Sequence, residues 1–328
     1  MSPGARGTPI AKHFPAQNAG PRKPRALTAD SFIMPFAPAS PAEQGRVAAG
    51  IAELTGLGFQ IDKPPAIAND GYFASTTANR RAEFLAALER FDVAALVGVR
   101  GGYGSNYLLD DLEIPAAASP KIILGFSDLT SLQIYLWQRE SWVTFYAPML
   151  AAGLDAGAGA QKGYDQKSFL AALQTTKGGW QLNLQAEVLS PGEGEGVLLG
   201  GCLNLVETSL STPWELETTG AILLLEDRGM KPWQVDRALM HLLQAGKLQH
   251  VRGIVLGDFP ECESPVAGSP TVRDVCQRIL SPLGIPIVFG APVGHTMRPM
   301  LTLPLGVNAR LSSKGEGVFE ILEPAVVA

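Results

Sequence analysis

The chain has 328 residues, of which 46% are hydrophobic and only 17% charged, and its formal net charge is -5. This length indicates about two domains, and the composition excludes a chain that stays disordered for lack of apolar residues. The acidic balance argues against a nucleic-acid-binding surface, because no run of lysine or arginine is long enough to offset it. No stretch of about 18 apolar residues occurs, so the sequence predicts no membrane-spanning helix.

The N-terminal residues 1–25 are rich in proline and glycine and lack the continuous apolar segment of a secretory signal. We predict that they form a flexible tail and that ordered structure begins near Leu27. Whether this tail is a targeting segment or only disordered is left open by its composition.

Between residues 26 and 152, short apolar runs alternate with segments of helical spacing. This rhythm predicts an α/β domain of the Rossmann or flavodoxin type, with a parallel sheet and helices on both faces. Ligands in such sheets bind at the carboxyl ends of the strands. The predicted elements are strands at Asp30–Ser40, Gly58–Asp62, Val93–Val97, Lys121–Leu124 and near Pro148, and helices at 41–56, Asn79–Arg90 and from about Asp128.

A second domain is predicted for residues 179–328, after a linker of small and polar residues at 153–178. Ala221–Asp227 is an apolar strand that ends in two carboxylates, and Pro232 opens a helix that ends at Gly246. The later runs GIVLGDF and IPIVFGAPVGH indicate two further buried strands with a helix between them.

Three cysteines, Cys202, Cys262 and Cys276, lie far apart and form no CxxC pair. An odd and scattered set is typical of reduced thiols rather than of a disulfide framework or a zinc site. The cysteines therefore favour a cytoplasmic protein without a structural metal.

The glycine-rich loop Gly98–Asn106, GVRGGYGSN, follows a predicted strand directly. It matches neither GxGxxG nor GxxxxGK[ST], so a nucleotide-phosphate site is only one hypothesis for it. The backbone N–H groups of such a loop also suit an oxyanion hole, and a turn packed against the next helix is the third interpretation. A module that binds a nucleotide through this loop stays open as a different class of function.

Ser127 stands at the corner between the strand Lys121–Leu124 and the helix that follows it. A serine at such a corner has an exposed hydroxyl beside helix N–H groups, which is the principle of the nucleophile elbow. The usual glycine two residues later is absent, because Leu129 occupies that position. The competing interpretation is a helix cap, since serine is a preferred capping residue.

A serine nucleophile needs a base, and the histidines are His13, His241, His250 and His295. His13 lies in the predicted tail, and His241 and His250 lie on or just after the helix that Pro232 opens. His295 instead lies in a Gly/Pro-rich loop directly after a buried strand, where catalytic groups are often presented.

A carboxylate beside the imidazole would fix its tautomer and stabilise its protonated form. Glu226 ends the apolar strand ILLLE and is the first candidate, with Asp227 as its rival. Asp128 is expected to be no more than a charge at a helix start. The spacing leaves open whether Ser127, Glu226 and His295 meet.

The sequence resembles the LD-carboxypeptidases of serine peptidase family S66, from about Leu27 to the C-terminus. The family includes muramoyl-tetrapeptide carboxypeptidases and microcin C7 self-immunity proteins. The resemblance is carried, in the family's order, by VRGGYGSN, LGFSDLTSL, LLGGCLNLV, TPWE, LLLEDRGMKPWQVDRAL, GIVLGDF and VGHTMRPMLTLPLG. It implies that Ser127 is the nucleophile and that Glu226 and His295 complete a triad.

The resemblance further implies an oxyanion hole formed by backbone N–H groups, those of Asp128 and of the pair Gly101–Gly102, with Gly102 favoured. A carboxypeptidase must also hold the free carboxylate of its substrate, and Arg100 is the candidate for this role because an arginine fork suits it. The alternative for Arg100 is a structural ion pair.

The sequence departs from the family's pattern at Ala39, Cys202 and Met230, where serine, asparagine and an acidic residue are usual. None of these positions belongs to the implied triad, so the departures leave the substrate pocket open rather than the chemistry.

The family picture implies a smaller, barrel-like C-terminal α/β domain, with the active site in the cleft between the domains. It also implies an enzyme without metal or other cofactor that releases terminal D-alanine from a murein tetrapeptide in peptidoglycan recycling. Homodimers are common in the family, and neither nucleic acid nor membrane is expected as a partner. An immunity-like hydrolase of aminoacyl-nucleotide analogues is the alternative, and it would need an aromatic platform such as Trp180, Trp214 or Trp233.

Overall fold

The computed structural model describes residues 20–66, 68–313 and 318–328, and these form two β-sheets with surrounding helices. The strands are β1 (Phe32–Phe36), β2 (Gln60–Ile61), β3 (Val93–Gly98), β4 (Ile122–Gly125), β5 (Thr144–Tyr146), β6 (Trp180–Leu182), β7 (Glu187–Ser190), β8 (Glu193–Cys202), β9 (Ile222–Glu226), β10 (Gly253–Gly257), β11 (Ile287–Ala291), β12 (Leu303–Leu305), β13 (Asn308–Ser312) and β14 (Val318–Ile321). The α-helices are α1 (Gln44–Gly56), α2 (Thr77–Glu89), α3 (Thr130–Glu140), α4 (Gln166–Gln174), α5 (Leu203–Thr208), α6 (Pro232–Gln244) and α7 (Val272–Leu280). Among the described residues, no helix is long and apolar enough to cross a bilayer.

The first sheet contains six strands in the order β12-β5-β4-β3-β1-β2. Strands β1 to β5 run parallel, and β12 pairs antiparallel with β5. The order of the parallel strands is the flavodoxin-like one, in which ligands bind at the switch point between β1 and β3. The predicted parallel α/β domain is therefore confirmed, with one additional strand that comes from the C-terminal part of the chain.

The second sheet contains eight strands in the order β6-β14-β13-β8-β9-β10-β11-β7. Its centre is parallel and consists of the end of β8 followed by β9, β10 and β11, which helices α5, α6 and α7 connect. The beginning of β8 pairs antiparallel with β13, so one long strand joins the parallel unit to an antiparallel one. The barrel-like form implied for this domain stays a prediction.

Strand β9 shows how the two sheets pack together. Ile222 and Leu224 belong to the apolar core that also contains the strands of the first sheet, whereas Leu223 and Leu225 pack with α5, α6 and α7. Successive side chains of a strand point to opposite faces, so β9 is buried on both. Each such side chain contributes about 1.5–3 kcal/mol by its burial. The two halves of the chain therefore share a core at the strand that carries Glu226.

The predicted tail and linker are tied to the rest of the protein where the structure describes them. Residues 1–19, and with them His13, lie outside the described residues. The N–H of Arg22 donates to the carbonyl of Ser141 at 2.7 Å, so ordered structure begins earlier than predicted. In the linker, the N–H of Asp165 donates to the carbonyl of Met300 at 2.9 Å, which fixes this segment against the loop after β11.

Candidate active site

Ser127 occupies a strained corner directly after β4. Its φ is +61°, in the left-handed region, which costs a non-glycine residue about 1–3 kcal/mol and is typical of functional sites. A single 3-10 turn, Ser127–Leu129, precedes α3, so the α-helix begins two residues later than predicted. Leu129, at the position where an elbow usually has glycine, is fully buried, and its side chain lies over Gly125.

The helix-cap interpretation of Ser127 is not supported by this geometry. The residues at the N-cap positions of the 3-10 turn and of α3 are Phe126 and Leu129, and neither forms a side-chain capping hydrogen bond. Among the described residues, the Ser127 hydroxyl bonds to no N–H of the helix. Instead, the Ser127 side chain lies against the glycine loop, where a Cβ at Gly101 would be 3.0 Å from Oγ. The hydroxyl therefore lines the cleft beside the loop rather than bonding the helix.

Glu226 and His295 form a hydrogen-bonded pair in the second sheet's wall of the cleft. Glu226 ends β9 and is fully buried, and its Oε2 lies 2.9 Å from Nδ1 of His295. The same oxygen accepts the backbone N–H of His295 at 2.9 Å, so the carboxylate fixes both the ring and its backbone. A Cβ at Gly294 would lie 2.3 Å from Cδ of Glu226, which explains the glycine before the histidine. With Nδ1 engaged, Nε2 is the nitrogen left for proton transfer.

The charge of Glu226 changes the acid–base properties of its neighbour. Burial of the ring lowers the pKa of His295, but the Glu226 charge and hydrogen bond outweigh burial, and the net shift is upward. A raised pKa suits a base that must hold a proton during a reaction.

Tyr146 connects the two walls of the cleft. It ends β5 in the first sheet, is fully buried, and its hydroxyl donates to Oε1 of Glu226 at 2.5 Å. The backbone N–H of Ser127 in turn donates to that hydroxyl at 3.5 Å. Burial first, and then the Glu226 charge, raises the pKa of Tyr146 well above its usual value, which keeps the hydroxyl protonated as a donor. A series of hydrogen bonds thus connects the two sheets, through Ser127, Tyr146, Glu226 and His295.

Asp227, the other candidate carboxylate at this strand end, has a structural role instead of pairing with His295. Its Oδ2 accepts the N–H of Asn204 at 2.9 Å, near the start of α5, and lies 3.3 Å from the thiol of Cys202. Burial raises the pKa of Asp227. Of the two carboxylates predicted at this strand end, Glu226 is the one that bonds to His295.

The glycine loop after β3 is held by side chains from two neighbouring segments. The N–H of Ser40 donates to the carbonyl of Gly101 at 3.2 Å, and Ser40 Oγ accepts the N–H of Tyr103 at 3.1 Å. Asp128 is buried below the loop, where its Oδ2 accepts the N–H of Ser105 at 2.7 Å. Burial raises the pKa of Asp128, against the effect of these N–H donors. Asp128 is therefore more than a helix-start charge, and its carboxylate disfavours a phosphate in the same place.

Arg80, on α2, also holds the glycine loop in place. Its side chain is buried and donates to the carbonyls of Gly104 at 2.8 Å, of Ser75 at 3.0 Å and, at shorter range, of Pro38. Burial lowers the pKa of Arg80, and the nearby Asp128 charge partly opposes this. One guanidinium therefore ties the loop after β1 to the loop after β3.

Ser127, His295 and the glycine loop line one cavity of about 460 Å³. Arg100 lies at its wall, exposed, with Nη1 donating to the carbonyl of Pro41 at 3.2 Å. Further lining residues are Arg46, Gly101, Gly102, Phe126, Lys162, Arg228, Glu261, Gly294 and Met297.

His241, His250 and the described tryptophans do not line this cavity. His241 pairs at the surface of α6 with Glu207, at 2.5 Å from Nδ1 to Oε1. His250 lies in the loop after α6 and is exposed. Trp180, Trp214 and Trp233 also lie outside it, so none of the described tryptophans supplies an aromatic platform there. Among the described residues, no cluster of three or more histidine, cysteine or acidic side chains suits a metal ion.

Sequence reasoning missed four residues of this site. Ser40, Arg80 and Tyr146 carried no signal, because each acts through contacts with segments remote in sequence. Lys162 was missed for the same reason, because it lies in the predicted linker and yet lines the cavity. The contact between Ser127 and the glycine loop, by contrast, could be predicted, because the two segments follow adjacent parallel strands.

Comparison with known proteins identifies the family of this chain. Residues 33–147 match the model of the LD-carboxypeptidase N-terminal domain, and residues 195–311 match that of the C-terminal domain. The chain therefore belongs to the LD-carboxypeptidase family, as its motifs indicated.

Three relatives show the range of the family. A Bacillus subtilis protein named "Probable murein peptide carboxypeptidase" is 31% identical over 89% of this chain and 92% of its own length. The structure of a muramoyltetrapeptide carboxypeptidase from Oxalobacter formigenes has a TM-score of 0.79 at 26% identity, over 90% of this chain and 99% of that one. The microcin C7 self-immunity protein MccF of Escherichia coli is 27% identical over 88% of this chain and 91% of its own length. A structure of MccF in complex with aspartyl sulfamoyl adenosine has a TM-score of 0.86 at 25% identity, over 93% of this chain and 100% of that one.

Proposed function

We propose that the protein is a serine carboxypeptidase that cleaves the bond between an L-centre and a terminal D-amino acid. Its proposed substrate is a murein tetrapeptide, from which it releases D-alanine during peptidoglycan recycling in the cytoplasm. The observation that carries the proposal is that Ser127, in a strained turn, lines the same cavity as His295, whose ring is bonded to buried Glu226. The murein substrate is supported by the names of the Bacillus subtilis and Oxalobacter formigenes relatives.

In the proposed mechanism, Nε2 of His295 accepts the Ser127 proton as Oγ attacks the carbonyl carbon of the scissile bond. Glu226 holds the imidazole through Nδ1 and stabilises the imidazolium that forms. The tetrahedral intermediate collapses when His295 gives the proton to the leaving amine, which departs as the free D-amino acid. Water, deprotonated by His295, then attacks the acyl-enzyme and releases the shortened peptide.

The oxyanion of the intermediate is proposed to bind the backbone N–H groups of Gly102 and Asp128. Gly102 lines the cavity, and the N–H of Asp128 directly follows Ser127 on the side of Gly101. The contacts of Ser40 and Arg80 fix the glycine loop that carries the Gly102 amide before substrate binds, which is what electrostatic preorganisation requires.

Arg100 is proposed to bind the terminal carboxylate of the substrate. Its guanidinium is exposed at the cavity wall, next to the glycine loop. Among the described residues, its hydrogen bond is to the Pro41 carbonyl, which leaves most of its donors for a ligand. Among the described residues, no carboxylate forms an ion pair with Arg100, so the alternative of a structural ion pair is not supported.

An immunity-like hydrolase of aminoacyl-nucleotide analogues is the second candidate. It is favoured by the higher TM-score with MccF than with the muramoyltetrapeptide carboxypeptidase. Against it, Phe126 and His295 are the only aromatic rings among the described residues that line the cavity, so a stacking platform for a base is not evident.

The experiment that tests the proposal is D-alanine release from purified L-Ala-γ-D-Glu-meso-diaminopimelyl-D-Ala, measured with and without EDTA. We expect release by the wild type that EDTA leaves unchanged. Absence of release, combined with cleavage of an aminoacyl sulfamoyl adenosine, would replace the proposal with the second candidate. Saturable nucleotide binding that survives Ser127→Ala, with neither cleavage, would favour a nucleotide-binding module. Homodimer formation stays a prediction, and sedimentation of the same preparation tests it.

A further inference from the structure

The cavity is strongly cationic, although the chain as a whole has a net charge of -5. Four basic side chains line it, accompanied by one carboxylate, that of Glu261. The basic residues are Arg46, Arg100, Lys162 and Arg228. Such an excess in a cleft favours an anionic ligand.

Two of the four cations are already neutralised. Arg46 pairs with Asp155, with Nε 2.6 Å from Oδ2. Arg228 forms a two-pronged contact with Glu261, with Nε at 3.0 Å and Nη2 at 2.6 Å from its two oxygens. A carboxylate thus neutralises each of these two arginines, and neither adds net positive charge for a ligand.

Arg100 and Lys162 are different. Among the described residues, neither forms an ion pair, and Lys162 Nζ forms no hydrogen bond. Lys162 does lie within electrostatic range of Glu261, whose pKa is lowered first by its hydrogen bond with Arg228 and further by the Lys162 charge. The hydrogen-bonding partner of Glu261 nevertheless remains Arg228.

The backbone of Lys162 is fixed on the His295 side of the cavity. Its N–H donates to the carbonyl of Met297 at 3.0 Å, two residues after His295. Its φ of +60° lies in the left-handed region, which a lysine adopts only when its surroundings impose it. The next residue, Gly163, accepts the N–H of Met300 at 3.0 Å. The lysine is therefore held by its main chain, with its ammonium group left for a ligand.

We infer that Lys162 is a second anion anchor and that the cleft selects substrates with a carboxylate in addition to the terminal one. Arg100 stands on the glycine-loop wall and Lys162 on the His295 wall, so a bound peptide meets one unpaired cation on each wall of the cavity. This inference rests on the proposed function, because it assigns the terminal carboxylate to Arg100. It defines the substrate class as peptides with at least two carboxylates.

The parent tetrapeptide offers two carboxylates besides the terminal one, on D-glutamate and on the diaminopimelyl side chain. An isoglutamine analogue lacks the first, and an analogue with L-lysine as its third residue lacks the second. Binding of these three peptides is measured by isothermal titration calorimetry with Ser127→Ala, which holds peptide without cleaving it. Lys162→Met is then added to Ser127→Ala, and Lys167→Met, an exposed lysine of α4 outside the cavity, serves as the matched control.

We expect Lys162→Met to weaken binding of the parent about tenfold, the effect of losing one charged hydrogen bond. We also expect it to abolish the difference between the parent and one of the two analogues, while Lys167→Met changes neither. Parent binding within about twofold of Ser127→Ala alone would overturn the inference, as would absence of parent binding to Ser127→Ala. D-alanine release by the wild type tests the proposed function separately, so the two failures are distinguishable.

Discussion

The two walls of the cleft are built by different means. The wall from the first sheet consists of loops after β1, β3 and β4, whose backbone is fixed by several contacts, those of Ser40, Arg80 and Asp128. In the wall from the second sheet, one buried carboxylate, that of Glu226, holds both the ring and the backbone N–H of His295. Several contacts thus position backbone amides in the first wall, whereas one carboxylate sets the proton affinity of the base in the second. Variants of the two walls should therefore fail in different ways.

The largest effect is expected for Ser127→Ala, which removes the proposed nucleophile but leaves the loops in place. D-alanine release should fall by about 10⁴-fold or more, since the remaining groups have nothing to acylate. Circular dichroism and thermal unfolding close to those of the wild type would show that the fold is retained. Release at more than about a tenth of the wild-type rate would mean that the nucleophile lies elsewhere.

Glu226→Gln is expected to reduce kcat by about 10³–10⁴-fold, because an amide neither stabilises the imidazolium nor fixes its tautomer. The neutral form of His295 is the base, so activity falls as pH drops through its raised pKa. Loss of the Glu226 charge should move this acidic limb of kcat/KM to lower pH.

Glu207→Gln is the matched control, since it alters a glutamate that pairs with a histidine at the surface of α6. Its rate and pH profile should equal those of the wild type. A Glu226→Gln profile with an unmoved acidic limb would contradict the pairing of Glu226 with His295. The pKa of His295 is raised in the folded protein, so its pairing with Glu226 also affects stability. The pair stabilises the fold at pH below the pKa that His295 has in the unfolded chain, and this contribution is lost as pH rises through the pKa of His295 in the folded protein.

Tyr146→Phe tests the link between the walls and is expected to act more weakly. It removes the donor to Glu226 Oε1 but keeps the ring, so kcat should fall about tenfold with KM nearly unchanged. A carboxylate with one donor fewer holds the His295 proton more tightly, and the acidic limb should move to higher pH, opposite to Glu226→Gln. Tyr135→Phe, which removes a buried hydroxyl bonded to the Leu112 carbonyl, is the control for stability alone. Equal profiles for both tyrosine variants would show that Tyr146 has only a packing role.

Arg80→Met is expected to act mainly on stability, because neighbouring contacts still hold the glycine loop. Loss of a charged donor to three carbonyls should lower the free energy of unfolding by about 2–3 kcal/mol. Urea unfolding measures this change, with Arg81→Met on the same helix as the control. A larger loss of activity than for Tyr146→Phe, in folded protein, would show that the first wall is not redundant.

The sequence predicted those parts of the fold and site that depend on local pattern. The parallel strands, the turn at Ser127 and the strand ends that carry Glu226 and His295 follow from apolar runs bounded by glycine and polar residues. The residues alone made Glu226 the first candidate but left Asp227 as a rival, since both end the same predicted strand; the family resemblance then favoured Glu226.

Contacts between remote segments could not be predicted in this way. Tyr146 ends an apolar strand in a pattern that indicates only burial, and its partner lies 80 residues away. Arg80 lies in the polar pattern of a helix surface, yet packing of two loops buries it. Addition of β12 to the first sheet and the early pairing of Arg22 likewise depend on tertiary structure.

The most direct test of the central claim is intact-protein mass spectrometry after reaction with a fluorophosphonate, which labels serines that a neighbouring base activates. We expect one label on wild-type protein, located on Ser127 by peptide mapping, no label on Ser127→Ala, and much slower labelling of Glu226→Gln than of Glu207→Gln. A label on another residue, or labelling that persists in Ser127→Ala, would contradict the assignment of Ser127 as the nucleophile that His295 and Glu226 activate.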